Sequence, residues 1–464
     1  MCGIYGVRGI PDAAQVAHLG LYALQHRGQE SAGIITIDED FRTHGHRAMG
    51  LVQEVFRPEV LTRLPGDIAI GHTRYSTAGV SAIDNAQPCL VDYHAGPLAL
   101  AHNGNLTNAK TLRDDLVRTG SIFQGSSDSE VLIHLIARSE AREPEDQILD
   151  ALERVEGAYS LIMTIGRDLY AIRDPSGFRP LVLGRLGSGY VVGSETCSLD
   201  IVGAQFEREL QPGEWIRISD KGVHDLPPLP PLPMKRCIFE LIYFSRPDSV
   251  VFGESVDRAR RNLGRTLAIE QPTPGADCVF SVPDSANAMA LGSSEQSGIK
   301  LEYGLIRNHY VGRTFIAPAQ QARTEKARIK FNPVRDVVEG KSVVVIDDSI
   351  VRGTTSRNLI RMIRQAGARE IHFRIASPPI TGPCYYGINT PTRGELIAAN
   401  HSVEDIRQHL GVESLGYLSL KGTHEAINGS RSGFCDACFS GDYPTALPQD
   451  AAAEAEKDVP LVVQ

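Results

Sequence analysis

The stretch VVVIDDSIVRGTTS, residues 343–356, decides how the second half of the chain is read. An apolar run of Val and Ile ends in two adjacent acids, Asp347 and Asp348. A small-residue turn with Arg352, Gly353, Thr354, Thr355 and Ser356 follows, and an amphipathic helix is expected from about Ser356. A buried strand of this kind puts the acids at its carboxyl edge, where open α/β sheets bind ligands. Backbone N–H groups and hydroxyls at a helix start can hold a phosphate dianion. A carboxylate pair suits the vicinal hydroxyls of a ribose, and the adjoining turn suits that ribose's 5-phosphate.

These residues resemble the phosphoribosyl pyrophosphate (PRPP) signature of type I phosphoribosyltransferases. The resemblance implies that Asp347, Asp348 and Arg352 to Ser356 grip PRPP. It also implies that Ser285, in the VPDSAN segment after the strand expected at 277–282, joins Asp347 and Asp348 around one magnesium ion per subunit. The segment from Gly312 to Arg335 carries Arg313, Arg323, Lys326, Arg328, Lys330 and Arg335. The resemblance makes it a lid that orders over a polyanion and excludes water. A solvated basic surface is the bland alternative.

The other end of the chain opens Met1-Cys2-Gly3-Ile4. If Met1 is removed, Cys2 carries a thiol and an α-amine on one residue. That amine, with an intrinsic pKa of about 8, can activate its own thiol. Alone, such a Cys would be read as a small hydrophobe. Four further segments follow: LQHRGQESAG (24–33), GHTRYSTAG (71–79), HNGNLTN (102–108) and GSSDSEVL (125–132). With Cys2 they resemble the N-terminal-nucleophile, class II glutamine amidotransferases.

Amide hydrolysis through a thioester needs preorganised donors for a tetrahedral oxyanion. The resemblance assigns those donors to the Asn103 side chain and the Gly104 N–H. It gives the glutamine α-carboxylate to Arg74 and its α-ammonium to Asp128. The bland readings are a surface ion pair for Arg74, a turn residue for Asn103 and a helix N-cap for Asp128. Asp128 could serve in both ways. His72 and Tyr75 are expected as structural neighbours. Ser129 stands where Thr is common in these proteins, a mild change.

At 464 residues the chain exceeds one ordinary core. A formal charge of −9 offers no basic stripe for nucleic acid, and neither a signal peptide nor a membrane span is expected. A cytoplasmic protein with its eight cysteines reduced or metal-bound is expected. Residues 2–230 read as a largely antiparallel, layered unit, with strands at 158–165, 169–174 and 190–195 and a helix at about 128–142; the amidotransferase resemblance implies that its layers are αββα. The run LPPLPPLP (226–233) reads as a linker. Residues 235–445 alternate helices with buried strands at 277–282, 342–347 and 370–377, the pattern of a parallel sheet. The Ala-rich, acidic tail at 446–464 is expected to be disordered.

Cys435-x-x-Cys438 has metal-ligand spacing. The chain from Cys2 to about Thr445 resembles, as a whole, the glutamine PRPP amidotransferase family in its iron–sulfur branch. That resemblance adds Cys237 and Cys384 and implies one [4Fe–4S] cluster per subunit. Spacing alone leaves structural zinc open. Cys89, Cys197 and Cys278 are expected to be inert. Relatives with the cluster often carry a short propeptide, and here only Met1 precedes Cys2. The implied reaction converts glutamine, PRPP and water into 5-phosphoribosylamine, glutamate and pyrophosphate, with ammonia passed between sites. A homotetramer with purine-nucleotide feedback is implied too. The competitors are a glutaminase feeding another acceptor, disfavoured by residues 343–356, and a PRPP-sensing regulator, disfavoured by an intact glutaminase set.

Overall fold

The computed structural model describes residues 1–75, 81–309, 330–427 and 433–448. Among these, residues 3–225 build two antiparallel sheets. The seven-stranded sheet runs in the order Gln205–Glu209, Val182–Leu186, Gly189–Gly193, Gly3–Arg8, Ile68–Arg74, Ser31–Ile37, Thr43–Met49. The six-stranded sheet runs Gly222–Asp225, Trp215–Ser219, Asp168–Arg173, Gly157–Ile165, Gly96–Leu106, Cys89–Tyr93.

Their inner faces meet through Ile4, Ile70 and Val192 on one side and Ala101, Ile162 and Ile216 on the other. Strand periodicity sends alternate residues outward. Tyr5 and Val7 therefore pack under the helix Ala13–Ala23. Leu100, Leu161 and Met163 pack under the helices Ser129–Ala137 and Pro144–Leu152. The result is helix, sheet, sheet, helix, as expected.

One helix is shorter than its sequence suggested, ending at Ala137 rather than near Arg142. The Ser139 hydroxyl accepts from the Ala141 N–H, and Pro144 starts the next helix. A short polar side chain here takes over a backbone donor that helix continuation would need.

No regular element lies between Asp225 and Arg236. This segment lies down on the first half: Leu229 donates to the Gly213 carbonyl and Lys235 to that of Ser176. Beyond it, four parallel strands stand in the order Cys278–Ser281, Ser342–Asp347, Glu370–Ile375, Ser414–Tyr417. Val344 and Ile346 face the helices Val256–Glu270 and Asn287–Ser297, while Val343 and Val345 face Thr354–Gln365 and Val403–Leu410. Both faces are covered, so the strand is apolar without alternation.

Candidate functional site

Two sites emerge, one in each half. The strand Gly3–Arg8 lies inside the seven-stranded sheet, and Gly3 pairs with Thr73. That register brings Cys2 beside Arg74. The Cys2 backbone N–H donates to Asn103 Oδ1 at 3.1 Å, and the thiol lies 3.7 Å from the Tyr75 carbonyl oxygen. Burial pushes the thiol up, opposed by the neighbouring N-terminal charge and Arg74. Met1 is itself buried, and burial holds its α-amine down to about 5.

Asn103 is fully buried, and its Nδ2 has no hydrogen-bond partner. An orphaned buried donor is costly, and this one is available to an incoming oxygen. At Gly104 a Cβ would collide with the Ala158 carbonyl. The pairing of Gly96–Leu106 with Gly157–Ile165 therefore requires glycine there.

Arg74 is buried at the end of its strand, 3.8 Å from Glu30. Asp128 precedes the helix Ser129–Ala137 but makes no side-chain cap bond. It accepts instead from the Leu106 N–H at 2.9 Å, which ties it to the Asn103–Gly104 strand. The N-cap half of its expected double role is absent. Ser129 Oγ meets Gln87 Nε2 at 2.9 Å and His102 Nδ1 at 3.0 Å, placing it in the scaffold. His72 bonds the His102 carbonyl, and burial lowers it to about 3, as fits a structural neighbour. Residues 76–79 of the GHTRYSTAG segment lie outside the described residues.

Sequence reasoning gave Arg27 no role. Its Nε donates to the Cys2 carbonyl at 3.0 Å, and its remaining nitrogens reach Glu195 at 2.5 Å and Glu240 at 2.8 Å. Arg179 meets Glu240 at 3.4 Å. All four of these charged side chains are completely buried. Burial alone would raise Glu195, but His26 and Arg27 outweigh it and hold it below the usual carboxylate range. Glu240 belongs to a π-helical turn, Glu240–Phe244, of the second half. The LQHRG segment contains Arg27, but nothing in the sequence marks its two partners.

At the second site Asp347 ends its strand and accepts from the Asp348 N–H at 2.9 Å. Asp348 accepts from Ser285 Oγ at 2.5 Å and Ser349 Oγ at 2.6 Å. Burial and then Asp348 push Asp347 well up, and burial raises Asp348 as well. Asp348 is buried and Asp347 half-buried. The donor set of two carboxylates and a hydroxyl is the hard-oxygen kind that magnesium takes.

Gly353 occupies the N-cap of the helix Thr354–Gln365, which starts two residues earlier than expected. Thr354 and Thr355 are exposed in its first turn, Ser356 faces inward, and Arg352 is paired with Glu395 at 3.0 Å. Of the expected lid, Arg313, Arg323, Lys326 and Arg328 lie outside the described residues. Lys330 and Arg335 flank the short strand Phe331–Pro333, which pairs with Leu305–Arg307.

The four cysteines converge from distant segments. Cys237 pairs with Cys435 across a short parallel ladder. Thr381 and Gly382 donate to the Cys438 carbonyl, and the Tyr386 N–H donates to Cys384 Sγ at 3.4 Å. Burial, with neighbouring thiols adding to it, pushes Cys237 up to about 11 and Cys438 well up. Among the described residues no group of three or more His, Cys, Asp or Glu side chains is placed to hold a metal ion. The fit to a metal group therefore rests on the donor chemistry, four soft sulfurs brought together. Burial also pushes Cys89 and Cys197 up to about 12 and raises Cys278.

Fold and sites together define a class II glutamine amidotransferase unit joined to a phosphoribosyltransferase sheet. A glutamine amidotransferase domain model matches residues 72–200. Amidophosphoribosyltransferase 2, chloroplastic, of Arabidopsis thaliana is 50% identical over 450 residues, 97% of this chain and 80% of that one. The amidophosphoribosyltransferase of Bacillus subtilis is 48% identical over 465 residues, 99% of this chain and 97% of the relative. A solved glutamine PRPP amidotransferase from B. subtilis, complexed with ADP and GMP, superposes with a TM-score of 0.92 at 48% identity, covering 98% of this chain and 100% of that one. A structure described as the allosteric regulatory enzyme of purine biosynthesis gives 0.93 at 48% identity, covering 99% and 100%. The chain belongs to the amidophosphoribosyltransferase family.

Proposed function

We propose that this chain catalyses the first step of purine biosynthesis, the glutamine-dependent amidation of PRPP to 5-phospho-β-D-ribosylamine, with release of glutamate and pyrophosphate. The observation that carries it is a buried cysteine whose N–H bonds an asparagine with an orphaned amide donor, on the same chain as a sheet-edge pair of acids.

Removal of Met1 leaves an α-amine on Cys2, which takes the thiol proton as sulfur attacks the glutamine amide. Asn103 Nδ2 and the Gly104 N–H receive the oxyanion. Arg74 and Asp128 hold the α-carboxylate and α-ammonium of glutamine. The ammonia released reaches the second site as the neutral amine. There Asp347 and Asp348 hold the ribose, and the turn Arg352–Ser356 holds its phosphate. Asp347, Asp348 and Ser285 would hold one magnesium ion, which supplies charge for the pyrophosphate leaving group.

The glutaminase unit is assigned to residues 2–230 and the transferase unit to 235–445, with 446–464 a tail. Cys237, Cys384, Cys435 and Cys438 would hold one [4Fe–4S] cluster, tying the start and the end of the second unit together. Purine nucleotides are the expected inhibitors and a homotetramer the expected assembly. No helix among the described residues is long and apolar enough to cross a membrane, and the cytoplasm is our expected location.

The test is pyrophosphate release from PRPP with and without glutamine, in protein purified without oxygen and supplied with magnesium. Glutamine-dependent release is expected, with roughly four iron atoms per chain in the same sample. No release from protein that binds PRPP would favour a regulator, and stoichiometric zinc without iron would remove the cluster.

A further inference from the structure

The oxyanion strand has a neighbour from the other half of the chain. Residues Cys384 to Gly387 run across the back of Asn103–Asn105. Asn105 Nδ2 donates to the Tyr385 carbonyl at 3.0 Å. The Tyr386 carbonyl accepts from Arg179 Nε at 3.1 Å and Nη2 at 2.5 Å. The Tyr386 ring stacks on Phe178 with centroids 4.5 Å apart. At its far end the same ring's hydroxyl meets Thr445 Oγ1 at 3.1 Å.

Gly387 closes this strap. A Cβ on it would stand 3.0 Å from the Gly104 carbonyl carbon, 3.1 Å from Gly104 Cα and 3.1 Å from its oxygen. All three are backbone atoms of the residue assigned to the oxyanion hole, and none can swing aside. Gly387 also has a φ of +109°, which side-chain-bearing residues rarely adopt. Gly104 also abuts the Ala158 carbonyl, so its backbone has close neighbours from both halves of the chain.

We infer that Gly387, from the transferase half, is a positioning residue for the glutaminase, fixing the Gly104 peptide by backbone contact. The strand that carries the oxyanion donors is thus held by both halves of the chain. This rests on the reading of Gly104 as an oxyanion donor. Such donors work only when aimed at where charge develops, and a misplacement of about 1 Å can cost about 100-fold.

The test is Gly387→Ala in the full-length, Met1-processed protein, assayed with glutamine and separately with ammonia. The expected result is a fall of about tenfold or more in glutamine-dependent kcat. KM for glutamine should stay within about twofold, and ammonia-dependent turnover should be unchanged. An unaltered kcat, or a loss confined to KM, overturns the inference. Should Gly387→Ala lose both activities together, Asn105→Ala decides, since it removes only the bond to Tyr385. A selective fall in glutamine-dependent kcat supports the inference, and none overturns it. Cys2→Ala in the same assay isolates the underlying reading. If that variant still uses glutamine, Gly104 has no oxyanion to serve and both fail.

Discussion

The two sites of this chain are built on opposite principles. The first is enclosed: Cys2, Asn103 and Arg74 are buried, and each is fixed by strand register. The second is open along one edge. Its acids stand at a strand end, its threonines are exposed, and burial pushes its carboxyls up, with Asp348 adding to the rise at Asp347. The first site is arranged before substrate arrives, whereas the second is arranged to receive charge. An acyl-transfer step needs fixed donors. Displacement of pyrophosphate brings its own anions and needs a place for them.

The largest effect should come from emptying the enclosed site. Cys2→Ala is expected to lower glutamine-dependent product by at least about 10³-fold, as loss of a nucleophile does elsewhere. Ammonia-dependent product should survive, because Cys2 serves the first site only. Parallel assays of the two nitrogen sources decide it, and loss of both in a folded variant would end the separation drawn here.

Next comes the open site, where activity and stability should move apart. Asp348→Asn removes one of two mutually repelling carboxylates, keeps one oxygen as acceptor for Ser285 or Ser349, and leaves the other hydroxyl to turn and accept from the new amide. Both glutamine- and ammonia-dependent product should fall by about 100-fold or more. The melting temperature should hold or rise, since a buried charge has been removed. A variant that melts earlier while keeping its activity would mean the pair serves the fold rather than the ligand.

How much of this was legible in the sequence follows from the range of each interaction. The strands at 158–165, 342–347 and 370–377 were readable because burial on one or two faces writes itself into neighbouring residues. The acids at 347–348 and the turn after them are contiguous, so their site was readable too. The helix after Asp128 was over-extended because the intervention of Ser139 depends on local hydrogen bonding that periodicity does not register. Arg27 escaped entirely. Its partners stand 168 and 213 residues away, and no local pattern records a bond of that range. Gly387 escaped for the same reason, since a glycine in CYYG reads as a turn until the Gly104 peptide is seen against it.

The seam between the sites offers the smallest effect on activity and the sharpest one on stability. Glu195 accepts from His26 Nε2 at 2.7 Å, Arg27 at 2.5 Å, the Arg246 N–H at 2.9 Å and Ser249 Oγ at 2.8 Å. Glu195→Gln keeps the shape but removes the charge, leaving Arg27 to Glu240 alone. Breaking a buried pair costs about 3–5 kcal/mol, so the variant should melt several degrees earlier at pH 7. The pH dependence has a definite sign. A carboxylate held below its unfolded value contributes stability that is full above about 4.5, the ordinary glutamate value. That contribution is lost as the pH falls below it towards the folded value. The melting difference between parent and variant should therefore stay level from pH 7.5 to about 5 and narrow below that. Turnover at temperatures under both transitions should change by less than about threefold, because the Glu195 carboxylate bonds His26, Arg27, Arg246 and Ser249, none of them assigned to substrate. A difference that stays constant down to pH 4 would show that the seam acts by shape alone, and the charge at Glu195 would then need another explanation.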